Sequence, residues 1–180
     1  MRRVIIMGPS GSGKSTLARR LGALHGLAVF HLDHAYWRPG WSPAPPEAFR
    51  AEVERIAALP AWVMDGNYGT MLAPRLARAD TVVFLDLPPR VYLPRVLRRT
   101  LVGAVLGRTQ APGCRERLNA AFIRYVLTWR RERRDRDLAL LDGFRGMVLV
   151  PKSEAEVRRV TDDLLRVERR SDIHHGCDVW

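Results

Sequence analysis

The 180-residue sequence predicts one α/β domain of three layers, α/β/α, in which a five-stranded parallel sheet lies between helices and carries a helical, arginine-rich lid. Three observations predict it. Five short apolar runs alternate with segments of helical period, as a parallel sheet covered on both faces requires. A glycine-rich turn, Gly8-Pro9-Ser10-Gly11-Ser12-Gly13-Lys14-Ser15, joins the first run to the first helical segment. Residues 90–136 hold 13 arginines against Glu116, Glu132 and Asp135, a net of +10 in a chain of net +11. One segment therefore owns the positive field and implies an anionic partner: a polyphosphate, a nucleic acid or a membrane surface.

The elements follow in order. Val4–Met7 reads as the first strand, and Leu17, Leu21 and Leu24 recur at helical spacing behind the glycine turn. Leu27–Leu32 reads as the second strand, ending at Asp33. Tyr36–Pro46, with four prolines and Gly40, reads as a loop whose last prolines open a helix bearing Phe49, Val53 and Ile56 on one face. Pro60 closes that helix. Trp62–Asp65 is the third strand, a short helix carries Leu72 and Leu76, and Thr81–Leu85 is the fourth strand, ending at Asp86. Long helices are then expected over 89–107 and 116–141, joined by a loop at 107–114, with Pro94 kinking the first or marking a later start. Met147–Val150 is the fifth strand. Ser153-Glu154-Ala155-Glu156 has the capping-box form and starts a helix with Val157, Val160, Leu164 and Val167 on its apolar side. The domain is expected to span 1–170, with the lid insertion at about 100–135 and a frayed tail over 171–180.

Composition narrows the class. Hydrophobic residues at 47% and charged residues at 27% exclude a disordered, collagen-like or disulfide-scaffold chain. Cys114 and Cys177 are too few and too separated for a disulfide framework or a zinc pattern, which agrees with a reducing compartment. No apolar run reaches bilayer length, so a cytoplasmic address is expected. Membrane-surface binding through the arginine helices would need a strong apolar face that their sequence does not display. His174, His175 and Cys177 crowd the tail and are assigned no metal.

Gly8–Ser15 satisfies G-x4-G-K-[ST], the P-loop, and sits between a strand and a helix as that motif demands. Glycines let successive amides turn inward as an anion nest, the helix start adds partial positive charge, and Lys14 reaches the outer phosphates. The expected ligand is a polyphosphate tail with Mg²⁺, held by Gly8, Pro9, Ser10, Gly11, Ser12, Gly13, Lys14, Ser15 and Thr16, with the Ser15 hydroxyl on the metal. The choice of lysine is itself informative: all but two of the 30 Lys and Arg residues are arginine, yet position 14 is lysine, a compact point charge.

In an open α/β sheet the ligand lies beyond the carboxyl ends of the strands, where Asp33, Asp65 and Asp86 fall. Asp65, before Gly66, is the expected partner of Ser15 at the metal. Asp33 either faces the acceptor, serving as base if the acceptor is a hydroxyl, or caps a turn. Asp86, before Leu87-Pro88, reads as a cap. Arg95 and Arg99 lie four apart and project from one helix face toward the phosphates, where guanidinium forks can meet charge developing on a transferred phosphoryl group. Arg131 and Arg134 offer the same spacing argument, Arg131 being the cofactor-binding candidate. Tyr36, Trp37 and Trp41 either stack an acceptor ring or pack their own loop.

Together these residues resemble P-loop kinases of the adenylate kinase type, over about residues 3–160. Shared with that group are the P-loop, Asp65-Gly66, and Asp86-Leu87-Pro88 followed by Arg95 and Arg99. His31-Leu32-Asp33, Trp37-Arg38-Pro39-Gly40-Trp41 and Asp65-Gly66-Asn67-Tyr68 look closer to the bacterial DNA topology modulation protein family. The resemblance implies a nucleoside monophosphate kinase-like fold, ATP and Mg²⁺ at the P-loop, Arg95 and Arg99 on the donor-phosphate side, a mobile lid over 100–135, and adenine near Lys152 and Ser153. It also departs from the group. Adenylate kinases place an arginine soon after the Asp-Gly to hold the acceptor phosphate, whereas Asn67-Tyr68-Gly69-Thr70 stand here and Arg75 follows late. The paired arginine and aspartate pattern of their lid is absent too.

The expected activity is ATP- and Mg²⁺-dependent phosphoryl transfer to a small acceptor, a nucleotide or nucleoside, beneath a lid that excludes water. The alternative is a nucleic-acid-associated regulator that binds through the basic segment and uses ATP as a switch.

Overall fold

A computed structural model describes residues 1–107, 109–116 and 119–171, without the side chains of 165 and 167–171; the tail beyond 171 and the side chain of Val167 lie outside the described residues. The chain runs β1 (Arg3–Met7), α1 (Lys14–His25), β2 (Val29–His31), α2 (Leu32–Tyr36), β3 (Trp37–Arg38), β4 (Ser42–Pro43), α3 (Pro46–Ala57), β5 (Trp62–Asp65), a 3-10 turn (Gly69–Met71) and α4 (Leu72–Leu76). It continues through β6 (Thr81–Phe84), α5 (Pro89–Leu106), β7 (Thr109–Ala111), β8 (Cys114–Arg115), α6 (Ala120–Glu132), α7 (Arg134–Ala139), β9 (Met147–Leu149) and α8 (Glu154–Ser171).

The main sheet has the order β2-β5-β1-β6-β9, and its strand pairs are parallel. Alternation along β1 explains its three layers. Val4 and Ile6 meet Leu17, Ala18 and Leu21 of α1 and Leu164 of α8 on one face. Ile5 and Met7 meet Phe49, Val53 and Ile56 of α3, together with Leu72 and Trp129, on the other. Each side chain of β1 from Val4 to Met7 is 0% exposed, so the central strand has no solvated face. Chain order reverses direction at β1, which leaves a crevice at the carboxyl ends of β1 and β5 where the glycine turn lies.

The five-strand expectation holds, and three local expectations do not. The proline-rich stretch holds the small β3–β4 hairpin, and the loop at 107–114 holds the β7–β8 hairpin, both antiparallel. Strand propensity there is slight; each hairpin docks on the other, with Gly40 N–H donating to the Gly113 carbonyl at 3.1 Å and Trp41 Nε1 to the Arg115 carbonyl at 2.7 Å. The helix expected over 116–141 divides at Arg133 and starts only after Asn119, whose side chain caps it by accepting from the amides of Ala121 and Phe122. Pro94 lies inside α5, not at its start. The capping pair forms with one change: Ser153 Oγ accepts from Glu156 N–H, but the Glu156 carboxylate accepts from Lys152 N–H, one residue before the cap.

Candidate functional site

The glycine turn leaves β1 and enters α1 through three left-handed glycines, Gly8 at φ 136°, Gly11 at φ 79° and Gly13 at φ 99°. Crowding adds to this backbone requirement at two of them. A Cβ on Gly8 would stand 2.6 Å from the Leu85 carbonyl oxygen, and one on Gly11 would stand 2.6 Å from the Tyr92 carbonyl oxygen. At Gly13 the same position is open space, as an approach path for an anion requires. Ser12 is 2% exposed and its Oγ has no hydrogen-bond partner, a buried polar atom awaiting one.

Lys14 Nζ folds over this turn, donating to the Gly8 carbonyl at 2.9 Å and the Pro9 carbonyl at 3.0 Å. Burial lowers its pKa, and the charges of Asp33 and Asp65 oppose that shift. Both carboxylates thus lie near enough for their charge to act on the ammonium group.

Asp65 ends β5 beside Ile6 and is 4% exposed. Burial pushes its pKa up, but hydrogen bonds from His31 and Ser15 and the charge of Lys14 outweigh burial and hold it below the ordinary carboxylate value. The His31 contact is 2.7 Å, Nδ1 to Oδ1, and that hydrogen bond raises the imidazole pKa. An ionised carboxylate beside a serine hydroxyl is an oxygen donor set of the kind Mg²⁺ takes. The residues present therefore fit a magnesium triphosphate: an open amide nest, an orphaned hydroxyl, an ammonium group resting on two loop carbonyls, and a carboxylate kept charged beside Ser15.

Asp33 does not end a strand. It lies exposed in α2, where its Oδ1 accepts from the Tyr68 hydroxyl at 2.7 Å. Burial raises the Tyr68 pKa strongly, with the charge and hydrogen bond of Asp33 adding to it, so the phenol keeps its proton and donates. Tyr68 comes from the turn after β5, with an unusual φ of 23°. The preceding Asn67 accepts through Oδ1 from the Gly8 N–H at 3.0 Å, tying the same turn to the P-loop.

The arginines divide. Arg99 reaches the P-loop, with Nη2 donating to Ser10 Oγ at 3.3 Å while its Nε lies 3.3 Å from Glu116. Arg95 forms an ion pair with Glu154 at the start of α8. Arg131 lies exposed on α6. Its neighbours Arg130 and Arg134 close instead on Asp86, at 3.2 Å and at 2.7 and 2.6 Å. Asp86, read as a turn cap, is thus a carboxylate only 2% exposed that clamps the helical segment to the end of β6. Hydrogen bonding to it raises the already high Arg134 pKa.

Of the loop aromatics, Tyr36 packs into the core against Phe49 and Tyr68, and Trp37 meets Trp41 edge-on within the first hairpin. Packing answers the open question for Tyr36. Arg75 is not an acceptor-phosphate ligand here: it is 0% exposed and its guanidinium is taken up by backbone carbonyls. The roles of Asn67, Tyr68, Arg75 and Asp86 were illegible in the sequence, since each depends on a partner brought near by the fold.

No family model matches the chain, and no curated protein matches it. Solved structures do. Shikimate kinase from Acinetobacter baumannii in complex with shikimate superposes with a TM-score of 0.59 at 18% identity, covering 95% of this chain and 94% of that one. A gluconokinase from Sinorhizobium meliloti 1021 gives 0.56 at 17% identity, covering 98% of each chain. Shikimate kinase from Aquifex aeolicus vf5 gives 0.53 at 15% identity, covering 96% and 99%. At these identities the likeness shows the fold: the chain has the P-loop kinase fold, a three-layer α/β/α arrangement about a five-stranded parallel sheet.

Proposed function

We propose that this chain is a kinase that transfers a phosphoryl group from ATP, with Mg²⁺, to a hydroxyl of a small acceptor such as a nucleoside or another hydroxylated metabolite. The observation that carries this reading is the Asp33 carboxylate, held by Tyr68 and electrostatically coupled to Lys14 at the mouth of the P-loop. A phosphate acceptor is already anionic and needs no base, whereas a hydroxyl must lose its proton. Arg75, the late arginine of the sequence after Asp65-Gly66, is sequestered by carbonyls and does not face an acceptor phosphate. Kinases of small hydroxylated molecules among the similar structures support the same class.

When bound, magnesium ATP supplies the electrophilic phosphorus and the leaving diphosphate. The chain's own residues do the rest. The P-loop amides and Lys14 hold the anion, and Ser15 with Asp65 would hold the metal, Asp65 through its atoms left free by His31 or through water. Asp33 accepts the acceptor's proton while the Tyr68 hydroxyl fixes its carboxylate plane. Arg99, already on the P-loop, and Arg95, once released from Glu154, meet charge on the transferred group. Residues 100–135 form the lid that excludes water, with Arg131 available from its exposed side.

The nucleic-acid reading, and with it the closer resemblance to DNA topology modulation proteins, has less support from the geometry. Arg95, Arg99, Arg130 and Arg134 are paired with carboxylates of this chain, which reduces the free cations the basic segment can offer a phosphodiester backbone. The test is ADP formation from ATP and Mg²⁺ against a panel of nucleosides, nucleoside monophosphates, sugar acids and other hydroxylated metabolites. Turnover dependent on one hydroxyl acceptor, abolished in Lys14→Ala and Asp33→Asn, supports the proposal; a flat panel together with salt-sensitive duplex binding refutes it.

A further inference from the structure

The Gly66–Tyr68 turn joins the two halves of the candidate site. Gly66 has φ 136°, and a Cβ there would stand 2.9 Å from the Leu32 Cβ; Tyr68 has φ 23°. Two left-handed residues in three turn successive carbonyls inward to a common point, where their dipoles repel one another and that of Gly66 is buried. A cation fills that point. Arg75 donates through Nη1 to the Gly66 carbonyl at 2.9 Å and through Nη2 to those of Asn67 at 2.7 Å and Tyr68 at 3.2 Å; its Nε donates to Met71 at 2.9 Å. Asp137 of α7 supplies opposing negative charge. The outward side of the turn then carries Asn67 Oδ1 to the Gly8 amide and the Tyr68 hydroxyl to Asp33.

We infer that Arg75 is a positioning residue of this site: by gathering the Gly66, Asn67 and Tyr68 carbonyls it sets the acceptor-side carboxylate and the first amide of the P-loop together. This rests on the kinase reading for its catalytic meaning, though not for its geometry. Only a planar fork can serve carbonyls arranged in this way. A lysine offers one nitrogen, and a neutral side chain leaves several buried oxygens unpaired. The guanidinium is buried and, among the described residues, hydrogen-bonds neither Asp33 nor the P-loop, so its effect on both passes through the turn whose carbonyls it holds.

The experiment compares wild type, Arg75→Lys, Arg75→Met and Tyr68→Phe. The chain has four tyrosines, and the difference between the ultraviolet titrations of each protein with and without Tyr68→Phe isolates the phenol at 68. In wild type Tyr68 stays protonated well above the ordinary value of 10.0. With circular dichroism showing an intact fold, Arg75→Lys should bring its titration back toward that value. The kcat for ADP formation, with whichever acceptor the panel yields, should fall on the order of a hundredfold, as for a displaced catalytic group, while KM for ATP changes much less. Arg75→Met should do the same or more.

Folded Lys and Met variants in which Tyr68 titrates as in wild type overturn the inference, and so does full rescue of kcat by lysine. Loss of the fold in Arg75→Lys as well as in Arg75→Met also overturns it, since Arg75 would then hold the domain and not the site. If wild type transfers no phosphoryl group while the Tyr68 titration moves as described, the kinase reading fails and the positioning role stands.

Discussion

The Tyr68 hydroxyl donates to the Asp33 carboxylate at 2.7 Å, joining the turn after β5 to the helix after β2 across the mouth of the P-loop. Removal of the carboxylate's charge in Asp33→Asn should lower kcat by about 10²–10⁴-fold if Asp33 takes the acceptor proton, with ATP affinity by calorimetry unchanged. Tyr68→Phe removes one charge-assisted hydrogen bond and should cost about tenfold in kcat. Equal kcat in wild type and Asp33→Asn would exclude Asp33 as the base.

Lys14 is half-buried and donates to the Gly8 and Pro9 carbonyls, and burial lowers its pKa. Lys14→Ala should therefore cost on the order of 10²–10³-fold in turnover without lowering the melting temperature. Steady-state kinetics and thermal unfolding check the pair; a large loss of stability would assign the residue to the fold instead.

The P-loop glycines should differ in their tolerance of a methyl group. Gly13→Ala adds backbone strain alone, about 1–2 kcal/mol. Gly11→Ala adds the same strain and drives a Cβ to 2.6 Å from both the Tyr92 carbonyl oxygen and Val96 Cγ2, so it should be the more destabilising in urea.

Asp86→Ala leaves the partly buried Arg134 with the exposed Asp135 as its remaining ion partner among the described residues, and should destabilise the domain by roughly 2 kcal/mol in urea unfolding. Asp86→Asn should fall between the two. Urea midpoints for the two variants measure the clamp directly, and a shift in Asp86→Ala no larger than that of an exposed aspartate would show that it does not hold.

The Glu156 carboxylate, hydrogen-bonded by Lys152 N–H and Ser153, has a pKa below its ordinary 4.5. A carboxylate with a depressed folded pKa contributes stability that is present above the unfolded value and lost as pH falls through the folded one. Glu156→Gln should thus lower the melting temperature at pH 7 and leave it unchanged well below pH 4. A difference that persists at low pH would locate the effect elsewhere.

Much of the fold was legible because its signals are local. Val4–Met7 and Trp62–Asp65 are apolar runs of strand length beside turn residues, and Ser153 with Glu156 spells a helix start in four letters. The two hairpins were missed for the opposite reason: Trp37–Arg38 and Thr109–Ala111 are strands by virtue of docking on each other, and two or three residues carry no period. The break at Arg133 was missed because Arg130-Arg131-Glu132-Arg133-Arg134 has good helix propensity throughout, and the tie of Arg134 to Asp86 comes from 48 residues away.

The candidate site divides the same way. Gly8 to Ser15 is contiguous, and its chemistry lies in backbone amides and one lysine, so the sequence alone determined a phosphate-binding turn between strand and helix. Which carboxylate meets which donor was decided only by the tertiary structure. Asp65 and His31, Asp33 and Tyr68, and Asp86 and Arg134 are separated by 34, 35 and 48 residues and meet because parallel strands deliver their carboxyl ends to one edge. Arg75 shows the limit most plainly: the sequence displays an arginine, but whether its guanidinium faces an acceptor or gathers the carbonyls of a turn depends on the left-handed conformations of Gly66 and Tyr68, which the packing of the whole domain imposes.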